Sequence, residues 1–293
     1  MLKSSETHRG GAYLVSVVMA AKNEENYIAD GIKSILRQTY DHLELIVVDD
    51  YSDDRTCNIV RSFKDPRIVL YQKKSEPPGA AASRNIGVQI ARGKLIAYQD
   101  ADDYSHPRRL EIQLQEFQSG RRPRVVGSWI ERRVKNSSQV WRLPTSHQEI
   151  VAGFNRLYNR VTFVSGTMLF PRNLAMAVPG REKFRFFEDW DQLCRLHELG
   201  VAEFRNVPEV LYTYNIRTKG SKGQHDWSRY NVFERACRSR RCSGLQEWAT
   251  EEEFELYLKQ SPLQFARWRG MRSLLDVKVQ LEMLRIRPRR GDA

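Results

Sequence analysis

Three aspartates lie close together in the middle of the chain, directly after a short apolar run. The run covers residues 95–98, and the acidic side chains are Asp100, Asp102 and Asp103. Carboxylates this close repel one another, and a fold tolerates them most readily when a divalent cation or a charged partner lies among them. Aspartate is also common in turns and near helix N-termini. The segment therefore predicts either a cation site or a turn that caps the next helix.

The surrounding pattern alternates strands with helices. Apolar runs predict strands at 15–19, 43–48, 67–71 and 95–98, and helical spacing predicts helices over 23–38, 52–63, 80–92 and 108–117. Such alternation predicts an α/β fold with a parallel sheet and helices on both faces. Ligands bind such sheets beyond the carboxyl ends of the strands, where Asn23, Asp50 and Asp102 fall. A turn that only caps a helix does not predict acids at several strand ends.

Later segments add strands and then helices. Residues 121–145 predict an added strand pair, 160–170 an extended run, and 186–200 a helix that begins with acidic residues. From residue 226 onward the chain is predicted to be helical and basic. Residues 215–293 carry 17 basic and 10 acidic side chains within a total net charge of +12. Charge of this kind suits anionic lipid, phosphorylated ligands or nucleic acid, and by itself does not choose among them.

Composition narrows the classes of protein that the chain can represent. At 293 residues the chain can bury a full core. Its four cysteines form no CxxC pair, so we expect reduced thiols in a cytoplasmic protein rather than a zinc or redox centre. The first dozen residues lack the apolar segment of a signal peptide, and the longest apolar run, 12–21, is about half of what a bilayer crossing needs. We therefore expect no membrane-spanning segment.

Five motifs in this order resemble those of glycosyltransferase family 2. They lie at residues 15–26, 46–52, 79–87, 100–110 and 187–193. The resemblance covers about 14–221 and implies a GT-A fold, which is a Rossmann-like, mostly parallel sheet, here with a helical C-terminal extension. Four segments follow from it: a loosely packed N-terminus (1–13), a nucleotide-sugar-binding half (14–110), an acceptor-binding half (111–225) and the basic extension (226–293).

The resemblance implies a donor site for a nucleotide-sugar. The residues expected near the nucleotide are Ala20, Lys22, Asn23, Asp50, Arg84, Asp100 and Arg217. Asp50 is expected to accept a proton of the base. Asp100 and Asp102 resemble the DXD pair, with Asp102 as the direct ligand of Mn²⁺ or Mg²⁺ and Asp100 nearer the ribose. A divalent ion held by carboxylates neutralises the charge of a departing diphosphate.

A second acidic cluster resembles the family's ED motif. It contains Glu188, Asp189 and Asp191, and the resemblance makes Asp189 the general base that takes a proton from the acceptor hydroxyl. Helix capping is the competing interpretation, because acids in a first helical turn are stabilising without any chemistry. The acceptor is expected at Ser165, Gly166, Thr167 and Trp190.

Two departures from the family's pattern concern the donor site. The first loop lacks the tyrosine of the usual Pro-x-Tyr-Asn, since Lys22 precedes Asn23. Asn215 and Arg217 stand where the family often has Arg-x-His, so a histidine ligand is missing from its usual place. Arg217 or Lys219 is expected to contact phosphate instead, and His225 is the other candidate ligand.

The sequence thus predicts an inverting, metal-dependent glycosyltransferase that uses a nucleotide-sugar, preferably a UDP-sugar, and a glycan or lipid-linked acceptor. Residues 265–290 can form a basic amphipathic helix that either contacts anionic membrane, at its cytoplasmic face, or packs on the domain. No motif supports nucleic-acid binding. The alternatives are a nucleotidyltransferase with a similar sheet and a non-catalytic nucleotide-sugar-binding protein.

Overall fold

The computed structural model describes most of the chain up to residue 217 and a smaller share of the C-terminal region. The described residues are 13–135, 137–154, 161–184, 186–217, 234, 236–238 and 240–260, without the side chains of 255 and 257–260. They divide between two compact units, Met1–Gly180 with Gln192–Thr218 and Arg181–Asp191 with Lys219–Ala293. The N-terminus predicted to be loose (apart from Tyr13), Lys219, His225 and the basic helix at 265–290 lie outside the described residues.

The first unit contains a nine-stranded sheet, counted over the described residues. Its strands are β1 Val15–Ala21, β2 Leu43–Asp49, β3 Ile68–Gln72, β4 Leu95–Asp100, β5 Tyr104–Ser105, β6 Arg124–Val134, β7 Ser137–Trp141, β8 Leu169–Pro171 and β9 Glu203–Ile216. The order is β3-β2-β1-β4-β8-β6-β9-β5, with β7 paired to β6. Strands β3, β2, β1 and β4 run parallel, as predicted, and β8 joins β4 antiparallel. The predicted α/β class and the four parallel strands are confirmed.

Eight α-helices begin and end within the described residues. They are α1 Ile28–Leu36, α2 Thr56–Ser62, α3 Ala80–Ile90, α4 Arg109–Gln118, α5 His147–Phe154, α6 Arg172–Ala177, α7 Glu188–Glu198 and α8 Glu251–Gln260. A short 3-10 helix, Ser165–Thr167, lies within the predicted extended run. Among the described residues, no helix combines the length and apolarity that a bilayer crossing requires.

The first predicted helix starts later than expected. The helical spacing predicts a start at Asn23, whereas α1 begins at Ile28. Asn23 has φ 55°, outside the helical region, and the next backbone N–H groups bond to side chains of another loop: Glu24 to Thr56 Oγ1 and Glu25 to Asp54 Oδ2. These contacts hold residues 23–25 as a loop at the end of β1. The prediction was wrong there because tertiary hydrogen bonds outweigh local helical preference.

The sheet is buried where it carries the acidic turn. Val15, Val17 and Val18 of β1 and Ile96 and Ala97 of β4 are fully inaccessible to solvent. Helix α1 packs so closely beneath the turn after β4 that a Cβ on Gly31 would lie 2.8 Å from the carbonyl oxygen of Ala101. The core thus fixes the position of the aspartates that follow β4.

Candidate functional site

The loops after β1 and β2 are bonded to each other at the carboxyl edge of the sheet. Asn23 N–H donates to Ser52 Oγ at 2.9 Å, and Asn23 Oδ1 accepts from the N–H of Asp53 at 3.0 Å. Asn23 and Tyr51 both have positive φ, which non-glycine residues seldom adopt outside functional loops. Lys22 is exposed at the tip of this pair of loops. The predicted base-binding segments therefore form one surface.

Asp50 lies directly after β2 in a buried ion pair. Its Oδ1 accepts from Lys73 Nζ at 2.9 Å, and its Oδ2 accepts from the N–H of Gly79 at 2.9 Å. Lys73 Nζ also donates to the carbonyl of Pro77 at 2.8 Å. Asp50 therefore fixes the segment that leads into α3, the helix that carries Arg84.

Asp100 ends β4, with Ala20 of β1 opposite it in the sheet. Its Oδ1 accepts from Nη2 of Arg84 at 2.9 Å, and the Arg84 guanidinium lies 5.3 Å from the ring centre of Tyr98. Because β1 lies between β2 and β4, the strand ends that carry Asp50 and Asp100 are two strand spacings apart, roughly 10 Å. The structure thus places Ala20 and Arg84 next to Asp100.

Asp102 is bonded by Arg217, which follows β9. Nε and Nη2 of Arg217 donate to Asp102 Oδ2 at 2.9 and 2.5 Å, and Nη2 also donates to Glu24 Oε1 at 2.7 Å. The Asn215 side-chain amide donates to the carbonyl of Asp102 at 2.7 Å. The end of β9 therefore closes on the acidic turn, and both residues at the positions of the family's Arg-x-His contact it.

Glu24 is an acidic member of this group that the sequence analysis did not single out. Burial raises its pKa to about 7, the nearby charges of Asp102 and Asp100 add to the increase, and Arg217 opposes it. Its Oε2 is buried and has no hydrogen-bond partner among the described residues. The neighbouring Lys22 and Asn23 predict that this loop is part of the site, but no local sequence pattern predicts that the Glu24 side chain is mostly buried.

Arg109 supports the acidic turn from behind. Its side chain is fully buried in α4 and donates to Tyr98 O at 2.8 Å, Ser105 Oγ at 2.8 Å and Gln99 Oε1 at 3.1 Å. Burial lowers the pKa of Arg109 to about 10. The bonds span both sides of the turn, so this guanidinium fixes where Asp100 and Asp102 leave the sheet.

The donor set of this group fits a hard divalent ion. Asp100 and Asp102 offer carboxylate oxygens, and Glu24 brings a buried oxygen without a partner to the same group. The described residues contain no cluster of three or more His, Cys, Asp or Glu in metal-binding geometry. Mg²⁺ is commonly held by one or two carboxylates together with substrate phosphates, so one or two protein ligands are enough.

The predicted acceptor triplet lies close to the same turn. Ser165, Gly166 and Thr167 form the 3-10 helix, and all three are buried. A Cβ on Gly166 would lie 2.6 Å from the hydroxyl oxygen of Tyr212, which itself accepts from the N–H of Asp100 at 3.2 Å. The triplet therefore packs against Tyr212, next to Asp100, and leaves no room for a larger residue at Gly166.

The ED motif lies in the second unit, in the first turn of α7. Glu188, Asp189 and Trp190 are half-buried, and Asp189 Oδ1 accepts from the N–H of Trp190 at 2.7 Å. Phe187, directly before the helix, has φ 64°, a strained value for a non-glycine residue. Asp191 is fully buried.

Asp191 belongs to an ion-pair cluster of this unit. Arg181 Nε donates to Asp191 Oδ2 at 2.9 Å, and Arg181 Nη1 donates to both carboxylate oxygens of Glu247 at 2.9 and 2.8 Å. Arg241 Nη1 lies 3.6 Å from Asp191 Oδ1 and 2.8 Å from Glu247 Oε1. Asp191 thus anchors the start of α7.

Residues 16–177 match the family model described as Glycosyl transferase family 2. An uncharacterized glycosyltransferase of Haemophilus influenzae is 29% identical over 220 residues, which are 69% of this chain and 65% of that protein. The UDP-Glc:alpha-D-GlcNAc-diphosphoundecaprenol beta-1,3-glucosyltransferase WfaP of Escherichia coli is 43% identical over 91 residues, 31% of this chain and 36% of that protein. The chain thus spans less than two thirds of the length of these curated relatives.

Solved structures with the same fold include two glycosyltransferases. S. aureus TarS 1–349 in complex with UDP-GlcNAc superposes with a TM-score of 0.62 and 18% identity, over 92% of this chain and 79% of that one. Mannosyltransferase PcManGT from Pyrobaculum calidifontis, in complex with GDP-Man and Mn²⁺, superposes with a TM-score of 0.57 and 18% identity. The match covers 94% of this chain and 79% of that one. At this identity the likeness shows the fold alone, and it confirms the GT-A fold expected from the motifs.

Proposed function

The chain belongs to glycosyl transferase family 2, and from this premise we propose that it is an inverting, divalent-metal-dependent glycosyltransferase. Its donor is a nucleoside diphosphate sugar, a UDP-sugar in preference, and its acceptor is a hydroxyl group of a glycan or a lipid-linked sugar. The relative WfaP is named for transfer from UDP-Glc to a diphosphoundecaprenol-linked sugar. That name supports both the choice of UDP and the lipid-linked acceptor.

One observation carries the proposal: Asp100, which ends β4, and Asp102, in the turn after it, are each paired with a different arginine. Arg84 bonds Asp100, and Arg217 bonds Asp102. Carboxylates alone would repel a diphosphate, and guanidinium groups alone would not hold a divalent ion. A site with both can hold a metal and a diphosphate side by side.

The roles at the donor site follow from this charge pattern. Asp102, with Asp100 beside it, would hold Mn²⁺ or Mg²⁺, which supplies positive charge to the leaving diphosphate. Arg84 and Arg217 offer planar N–H donors that match phosphate oxygens. Asn23 and Asp50, on the joined loops after β1 and β2, would face the nucleobase, with Lys22 in place of the usual tyrosine.

The transfer step needs a base for the acceptor. Asp189 accepts the proton of the acceptor hydroxyl, the hydroxyl oxygen forms a bond to the anomeric carbon, and the bond from that carbon to the diphosphate oxygen breaks. Attack from the face opposite the leaving group inverts the configuration. Asp189 suits this role better than Asp191, because Asp191 is fully buried and bonded to Arg181. Glu188 and Trp190, half-buried on the same helical turn, would bind the acceptor.

A nucleotide-binding measurement tests the donor site. UDP with Mn²⁺, at about 100 times its Kd, is expected to stabilise the wild-type chain by about 2.7 kcal/mol, seen as a higher melting temperature. Asp102→Asn should abolish the dependence of that shift on Mn²⁺. Asp30→Asn is the matched control, because Asp30 is an exposed carboxylate on α1 that pairs with Lys33. A shift that survives in Asp102→Asn would contradict the metal–diphosphate assignment.

A turnover measurement tests the base and separates the alternatives. Asp189→Asn should bind UDP with Mn²⁺ as the wild type does but lose sugar transfer or donor hydrolysis by about 10²-fold or more. A screen of UDP-, GDP- and dTDP-sugars identifies the donor. Undiminished turnover in Asp189→Asn would place the base elsewhere. Release of pyrophosphate from a nucleoside triphosphate would favour a nucleotidyltransferase, and binding with no turnover in any assay would favour a non-catalytic binding protein.

A further inference from the structure

Arg217 lies between two carboxylates that come from different parts of the first unit. It follows β9, and its guanidinium bonds Asp102, after β4, and Glu24, after β1, through three N–H···O contacts of 2.5 to 2.9 Å. The same guanidinium lies 4.7 Å from the ring centre of Tyr27. Two carboxylates and an aromatic ring therefore hold Arg217 in place. One of these carboxylates, Asp102, is also the expected metal ligand, so Arg217 occupies a position that the metal would need.

Among the described residues, the carboxylates that pair with Arg84 and Arg217 outnumber these two arginines. Glu24, Asp100 and Asp102 face Arg84 and Arg217, and Glu24 Oε2 is buried without a hydrogen-bond partner in the described part of the chain. A buried carboxylate oxygen without a partner is costly, so the group retains a preference for further positive charge. A divalent ion would supply this positive charge, but the Arg217 guanidinium is already bonded to Asp102.

We propose that Arg217 is an exchangeable cation of the donor site: without donor it neutralises Asp102 and Glu24, and on loading it leaves Asp102 to the divalent ion and contacts the donor diphosphate. Glu24 is the positioning residue that keeps Arg217 at the site during this exchange. The inference rests on the proposed function, because it takes Asp102 as the metal ligand. It goes further by assigning a positioning role to Glu24 and by making the binding of the divalent ion depend on the binding of the diphosphate.

The exchange makes metal and diphosphate binding interdependent. Without nucleotide, the ion has to displace Arg217 from Asp102 and gains no phosphate oxygens, so it binds weakly. With nucleotide, the displaced guanidinium gains new anionic partners, and the ion gains phosphate ligands. Each ligand therefore increases the affinity of the other by the same factor. If Arg217 only binds phosphate, its removal should lower UDP affinity but raise nucleotide-free Mn²⁺ affinity no more than the removal of another nearby arginine does.

The test measures Mn²⁺ binding without nucleotide, by loss of the electron paramagnetic resonance signal of free Mn²⁺. Arg217→Gln is expected to bind nucleotide-free Mn²⁺ about 5- to 150-fold more tightly than the wild type, the usual range of coupling between two sites. With UDP present, the same variant should lose part of its UDP affinity. Arg217→Lys should stay near the wild type in nucleotide-free Mn²⁺ affinity, because it keeps the positive charge.

Arg55→Gln is the matched control. Arg55 lies near the same loops, is 77% exposed and pairs with Glu25, so its substitution removes the same charge without uncovering Asp102. An equal gain of Mn²⁺ affinity in Arg55→Gln, or no gain in Arg217→Gln, would overturn the exchange. A wild type that binds no Mn²⁺ even with UDP would instead contradict the metal dependence of the proposed function. Arg217→Gln still distinguishes a failure of the exchange from a failure of the metal dependence, because only the exchange predicts a gain of nucleotide-free Mn²⁺ affinity in that variant beyond the gain in Arg55→Gln.

Discussion

Lys73 Nζ lies 2.9 Å from Asp50 Oδ1, and both side chains are almost completely buried. The pair joins the ends of β2 and β3, and Lys73 also donates to the carbonyl of Pro77 in the segment that leads into α3. Helix α3 carries Arg84, which bonds Asp100. One buried ion pair thus connects Asp50, the aspartate expected to bind the base, to the segment that leads into the helix carrying Arg84.

Replacing Lys73 with methionine is expected to lower the free energy of unfolding by about 3–5 kcal/mol, because Asp50 would remain buried and charged without its cation. Urea unfolding measures the change. Lys33→Met, at an exposed pair with Asp30, should change stability by less than about 1 kcal/mol. Adding Asp50→Asn to Lys73→Met should recover part of the loss. A double variant no more stable than Lys73→Met would show that the lysine acts through something other than Asp50.

Two adjacent arginines at the start of α4, Arg108 before the helix and Arg109 in it, are expected to differ sharply in their contribution to stability. Arg109→Met would leave several buried acceptors around the acidic turn without donors, so it should cost about 3–5 kcal/mol of stability. Arg108→Met removes an exposed pair with Glu111 and should cost far less stability than Arg109→Met. Thermal or urea unfolding of both variants decides the matter. Equal losses would mean that the bonds from Arg109 to the turn contribute little.

Gly31 tests how closely α1 fits beneath the acidic turn. In Gly31→Ala the new Cβ would meet the carbonyl oxygen of Ala101 at 2.8 Å, and a backbone atom cannot move away without shifting the turn. The variant should lose about 1–3 kcal/mol of stability, despite the better helix propensity of alanine. Its affinity for UDP with Mn²⁺ should fall as well. Lys33→Ala, on the same helix but exposed, should change neither quantity by a comparable amount, and an unchanged Gly31→Ala would contradict the close fit.

Glu247 predicts acid sensitivity. Burial alone would raise its pKa, but hydrogen bonds from Arg181, Lys183 and Arg241 lower it to about 2. A carboxyl group with a lowered pKa contributes stability above its unfolded pKa of about 4.5 and loses that contribution as pH falls through about 2. The stability difference between the wild type and Glu247→Gln should therefore be full at pH 6 and shrink steadily below about pH 4.5. Urea unfolding followed by tryptophan fluorescence at several pH values measures it. A difference that stays constant down to pH 2.5 would contradict the prediction.

Lys73 could have been predicted from the tendency of ligand-binding residues to follow the carboxyl ends of parallel strands. It directly follows the third such strand, just as Asp50 follows the second. Glu24 is harder to find. It stands between Asn23 and Glu25 in a polar run, and only the late start of α1 turns it toward Asp102 and Arg217. Arg109 likewise resembles Arg108 in sequence, and its burial becomes visible only when α4 packs on the sheet.

By itself, the sequence determined the parallel half of the sheet, the edge at which the acids collect and the family's motifs. These properties depend on local apolar periodicity and on the direction of parallel strands, which nearby residues encode. Only the tertiary structure decided which charges meet. Arg217 reaches Asp102 and Glu24 across 115 and 193 positions of sequence. Such a pairing depends on where β9 ends in the sheet, and no local pattern specifies that.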